Sequence, residues 1–100
     1  MKTTIEEKDG NLVAVFEGRL DTLAATEIEQ DLQKLNECDG RDILLDCTAM
    51  DYISSSGLRL FLSILKNAKA KGSRVIITGT NPSLKQIFAM TGFSKLFEFK

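Results

Sequence analysis

The sequence predicts an α/β fold in the order β-β-α-β-α-β-α-β, a mostly parallel sheet with covering helices and an antiparallel edge strand at its N-terminal side. Three observations carry this reading. Short apolar runs, Ile43-Leu44-Leu45 and Val75-Ile76-Ile77, alternate with segments of helical period, and such alternation implies a parallel sheet. Runs that are apolar throughout suit central strands with both faces covered. Ahead of them, Asp9-Gly10-Asn11 is turn chemistry between two extended stretches, the mark of a hairpin.

Each element has its own signal. Thr3 to Glu7 is short and weakly alternating, whereas Leu12-Val13-Ala14-Val15-Phe16 is a β-branched and aromatic run that is expected to stop at Gly18. Thr22 is the expected N-cap of the first helix. Ile28, Leu32 and Leu35 give that helix one apolar stripe, and Glu37-Cys38-Asp39-Gly40 closes it. The second helix has the clearest stripe, Leu58, Phe61, Leu62 and Leu65. Lys66, Lys69 and Lys71 gather near its C-terminus, where cations complement the helix dipole. After Gly72 and the strand Val75–Ile77, Asn81-Pro82 reads as an N-cap followed by Pro at the first helical position. Leu84, Ile87 and Phe88 form the apolar face of the last helix. Gly92 stops it, and Leu96 to Phe99 is expected as the terminal strand.

One hundred residues suffice for one domain with one core, and no repeat or linker divides residues 1–100. A net charge of −1 lacks the basic surplus with which a nucleic-acid binder offsets phosphates. The apolar runs are far shorter than a membrane span, and Met1 to Asp9 has no signal-peptide core. A cytoplasmic protein is expected. Cys38 and Cys47 have no metal-type spacing, so two reduced, incidental thiols are expected. The chain contains no histidine, which removes Ser-His-Asp and Cys-His nucleophiles and the commonest zinc ligand. No catalytic residue, metal or cofactor is expected.

Helical period does not account for Asp51-Tyr52-Ile53-Ser54-Ser55-Ser56-Gly57, which stands between a strand and the strongest helix. One serine there serves as an N-cap. Three leave a remainder, and the N–H groups of a first helical turn favour a phosphate. Gly57 either serves the turn or allows another molecule to come close. No phosphate-cradling motif is present, and no histidine stands ready to activate a serine as nucleophile. The serine reads as a substrate more than as a nucleophile.

The stretch Asp46-Cys47-Thr48-Ala49-Met50-Asp51-Tyr52-Ile53-Ser54-Ser55-Ser56-Gly57-Leu58 resembles the signature of STAS domains, found in bacterial anti-sigma-factor antagonists. Glu17-Gly18-Arg19-Leu20-Asp21 is similar to that family's Gly-x-Leu-Asp element, and Pro82 to Phe93 to its closing helix. The resemblance spans nearly the whole chain in the right order and implies the STAS sandwich. It places the phosphoacceptor just before the glycine, at Ser56, and Asp21 close by on the partner surface. Ser54, Ser55 and Gly57 complete the expected partner-binding set. By the same resemblance the unphosphorylated protein binds an anti-sigma factor that is also a serine kinase, phosphorylation by that kinase releases it, and a serine phosphatase acting on the phosphorylated form resets the cycle. A monomer is expected when free. One departure is Ser54, where the family often has Asp; it leaves Ser54 and Ser55 as competing acceptors. The alternatives are a phosphorylation-independent scaffold or transport subunit and a module that holds a nucleotide or anion at Ser54–Gly57.

Overall fold

In the computed structural model, which describes residues 1–100, the chain forms β1 (Lys2–Lys8), β2 (Asn11–Leu20), α1 (Thr22–Leu32), β3 (Ile43–Ile53), α2 (Ser55–Ala70), β4 (Val75–Thr78), α3 (Pro82–Met90) and β5 (Glu98–Phe99). This is the order expected from the sequence. Short 3₁₀ segments follow α1 at Gln33–Glu37 and α3 at Phe93–Lys95. The strands lie side by side in chain order, β1 antiparallel to β2 and each later pair parallel.

That order decides where the helices go. Each strand–helix–strand crossover steps one place in the same direction, and such crossovers are right-handed. All three helices therefore fall on one face of the sheet. Burial agrees: Leu12, Ala14, Phe16, Ile43, Leu45, Cys47, Val75 and Ile77 form one core cluster with residues of all three helices. Of their alternating neighbours, Val15, Leu44 and Asp46 are half-buried, whereas Val13 and Ile76 are buried. The expectation that Ile43–Leu45 is covered on both faces is thus corrected at Leu44, which is half-buried, because the helices all lie over the other face.

Phe16, Phe61 and Phe88 join β2, α2 and α3 through the core, with ring centroids 5.3 Å and 6.3 Å apart. All three are 1% exposed or less, and burying each side chain contributes about 1.5–3 kcal/mol. Asn81 caps α3 and docks it: its Oδ1 accepts from the Leu84 N–H at 2.8 Å, and its Nδ2 donates to the Met50 carbonyl of β3 at 3.3 Å.

Several boundaries differ from expectation. β2 does not stop at Gly18 but passes through it, at φ +106°, to Leu20. Asp21, not Thr22, caps α1, because Asp21 keeps extended backbone and its Oδ1 accepts from the Ala24 N–H at 2.8 Å. α1 ends at Leu32, so Leu35 completes the apolar stripe from within a 3₁₀ segment and is still buried. β3 continues eight residues beyond Leu45, since the longer β2 offers it a full-length partner. The terminal strand shrinks to Glu98–Phe99 because Phe93–Lys95 winds as 3₁₀ helix and the Leu96 and Phe97 N–H groups both donate to the Phe93 carbonyl, at 3.0 Å and 3.1 Å.

Candidate functional site

Because β2 and β3 are parallel, their C-terminal ends emerge at the same edge. Leu20 and Ile53 are register partners there, and the Ser54 N–H donates to the Leu20 carbonyl at 2.8 Å. The next residue of each strand caps a helix, Asp21 for α1 and Ser54 for α2. The structure therefore brings Asp21 and the Ser54–Gly57 segment, two separate stretches of sequence, to one edge.

The three serines are not equivalent. Ser54 is extended and 8% exposed, and its Oγ accepts from the Gly57 N–H at 3.2 Å. It is the cap, and its hydroxyl is both engaged and nearly buried. Ser55 opens the helix and is exposed, while Ser56 is half-buried. Ser56 lines a cavity of about 260 Å³ between α1 and α2, facing Ala25, Thr26 and Glu29 of α1. The first-turn N–H groups of Ser55 and Ser56 have no intrahelical partners, so this end of α2 carries partial positive charge.

Gly57 faces inward. A Cβ at this position would lie 2.7 Å from Leu20 Cγ and 2.8 Å from Ile53 Cγ1. Its bare Cα is required by the protein's own packing. Two residues missed in the sequence join the same edge: the Arg19 guanidinium stacks 4.5 Å from the centroid of the exposed Tyr52 ring. They are cross-strand partners, a relation visible only once β3 is known to reach Ile53.

Both cysteines are free and buried. Burial pushes the Cys47 thiol up to about 12, with the neighbouring Asp46 charge adding to the effect. No group of three or more His, Cys, Asp or Glu is placed to hold a metal ion. No helix is long and apolar enough to cross a membrane.

A family model described as STAS domain matches residues 2–100. The chain is 30% identical over 97 residues to BtrV of Bordetella bronchiseptica, provisionally named an anti-sigma factor antagonist, covering 97% of this chain and 84% of that one. It is 27% identical over 97 residues to the anti-sigma-B factor antagonist of Listeria monocytogenes, covering 96% and 85%. Among solved structures, an anti-sigma factor antagonist from Mycobacterium paratuberculosis shares the fold with a TM-score of 0.81 at 24% identity, covering 98% of this chain and 83% of that one. The Bacillus protein SpoIIAA matches at 19% identity and 99% coverage of this chain in two states. Its unphosphorylated form gives a TM-score of 0.75 over 87% of that chain. Its phosphorylated form gives 0.74 over 91%.

Proposed function

The chain belongs to the STAS domain family, and from that premise we propose that it is an anti-sigma-factor antagonist whose binding is switched by phosphorylation of Ser56. One observation carries the choice of residue. Ser54 does the capping, and of the two hydroxyls left over that of Ser56, half-buried in the first turn of α2, is the one that lines the groove between α1 and α2. The partner is an anti-sigma factor that is also a serine kinase. It grips the unphosphorylated edge formed by Asp21, Ser55 and the neighbourhood of Ser56, and a serine phosphatase resets the cycle. Free protein is monomeric in this reading.

Phosphorylation adds about −1.5 to −2 charge and three acceptor oxygens. At the N-terminus of α2 that charge is tolerated by the domain itself. Pressed into an interface without a counter-charge it costs several kcal/mol, and a loss of about 3 kcal/mol weakens binding more than a hundredfold. The near-equal likeness of this chain to both states of SpoIIAA supports a modification that leaves the fold alone.

The test is incubation with ATP and extract of the source cells, followed by intact-mass measurement and site mapping. A single phosphate on Ser56, with loss of binding to the kinase partner, is the expected result. Phosphate on Ser55 alone, or a complex indifferent to Ser56→Ala and Ser56→Asp, sinks the switch and leaves a constitutive scaffold.

A further inference from the structure

Arg59 follows Ser56 by three residues on α2, on the same face and one turn along. Cα–Cβ bonds in a helix tilt toward its N-terminus, so a long side chain covers the surface above the preceding turn. For Arg59 that surface is Ser56. The two side chains line the same cavity of about 260 Å³. The ion pairs of the molecule fall on Arg41 and Arg74. Arg59, which is exposed, thus brings an uncommitted positive charge into this space.

We propose that Arg59 is the internal receptor for a phosphate on Ser56, drawing it back along the flank of α2 and into the groove between α1 and α2. The proposal rests on Ser56 being the modified residue. A guanidinium presents a planar fork of donors that matches two phosphate oxygens at once, which an ammonium does not. The charged side chains facing the space are Arg59 from α2 and Glu29 from α1. Glu29 repels the added dianion from the α1 wall, and Arg59 holds it on the α2 side. The phosphorylated form then carries one of its new charges neutralised from within. A phosphatase must displace Arg59 to reach the phosphorus, so this residue sets how long the modified state lasts.

The experiment installs phosphoserine at position 56 by genetic-code expansion, so no kinase is needed, and follows the phosphate by ³¹P NMR across pH. The second ionisation of a phosphoserine lies near pH ~6. R59Q is expected to raise it by roughly half a unit or more relative to the parent protein, because an opposite charge favours the dianion. R59K restores part of the difference. E29Q moves the midpoint the other way, and K66Q, on α2 but outside the cavity, leaves it unchanged. An identical midpoint in the parent and R59Q overturns the role of Arg59. Failure of the switch itself shows separately: phosphorylated protein that still binds the kinase partner as tightly as unmodified protein, whatever the titration gives.

Discussion

The backbone N–H of Ser54 donates to the carbonyl of Leu20 across 2.8 Å, and this bond ties the start of α2 to the end of β2. Two helix caps, Asp21 and Ser54, are thereby held side by side. The arrangement separates the serines by role, and the separation is measurable.

Ser54→Ala is expected to lower stability by about 1 kcal/mol, the usual cost of an N-cap serine. Ser55→Ala, on an exposed and uncommitted side chain, stays within about 0.5 kcal/mol of the parent. Ser54→Asp keeps a capping acceptor and adds a negative charge at the helix N-terminus, so it holds the parent stability. Urea denaturation of the three variants checks the ranking.

Gly57→Ala tests the inward packing of the first turn. On an exposed helical position the change would stabilise by about 1 kcal/mol. Here the new methyl meets Leu20 and Ile53 at less than 3.0 Å, and overpacking of that kind costs about 1–3 kcal/mol. The predicted sign is destabilising, read from the denaturation midpoint. A stabilised Gly57→Ala protein would show that the edge has room to give.

Cys47 makes stability fall in alkali. Its folded thiol is raised from an ordinary 9.0 to about 12, so above 9.0 the unfolded chain loses a proton that the folded chain keeps. The contribution is complete below pH 9.0 and is lost as pH rises toward about 12, at no more than about 1.4 kcal/mol per pH unit. Stability measured on both sides of pH 9 should decline more steeply for the parent than for Cys47→Ala. At neutral pH the same thiol is expected to resist alkylation until the protein unfolds.

Arg74 fastens the shortest strand. Its Nε and Nη2 donate to the two carboxylate oxygens of Glu98 at 2.8 Å and 2.7 Å, and the first effect of this is to hold the Glu98 carboxyl below the usual range. The lowered value means that the pairing is present above the ordinary carboxylate pKa and is lost as pH falls through the depressed one. Arg74→Gln, or acidification, should speed hydrogen exchange at the Lys100 amide, which donates to Ile77 at 3.0 Å. Exchange in β3 beyond Leu45, away from the Asp42 that Arg74 also pairs with, should not change.

Much of this was legible in the residues, and the exceptions share a cause. The stripe through Phe61 and Leu65, the Asn81-Pro82 helix start and the Asp9–Asn11 turn are local signals, and each names its element correctly. The far half of β3 is not local. Its buried residues Cys47, Met50 and Ile53 recur every third position, matching neither strand nor helix period, because the register with β2 shifts between Val15 and Glu17 and again between Gly18 and Arg19. The extra residues lie in β3 itself, three steps from Asp46 to Ala49 against two in β2 and two from Met50 to Tyr52 against one, and only the pairing with β2 reveals them. The candidate site follows the same pattern. Ser56 and Asp21 stood out by motif, whereas the Arg19–Tyr52 stack and the facing of Arg59 toward Ser56 depend on which strand ends and helix flanks meet. The inward turn of Gly57 also needed Leu20, a residue 37 positions earlier in the chain.

Gly57 has a further effect on any enzyme that works at Ser56. The position after the acceptor offers no side chain to grasp, and the one after that, Leu58, is packed against the core. Little linear text remains downstream for an active site to read. What distinguishes this serine is shape: the cap beside it, the strand end beneath it and the helix across the groove. A short peptide copying residues 51–60 has none of these, so it should be a poor substrate, and so should the unfolded chain. Modification would then report on folded molecules alone.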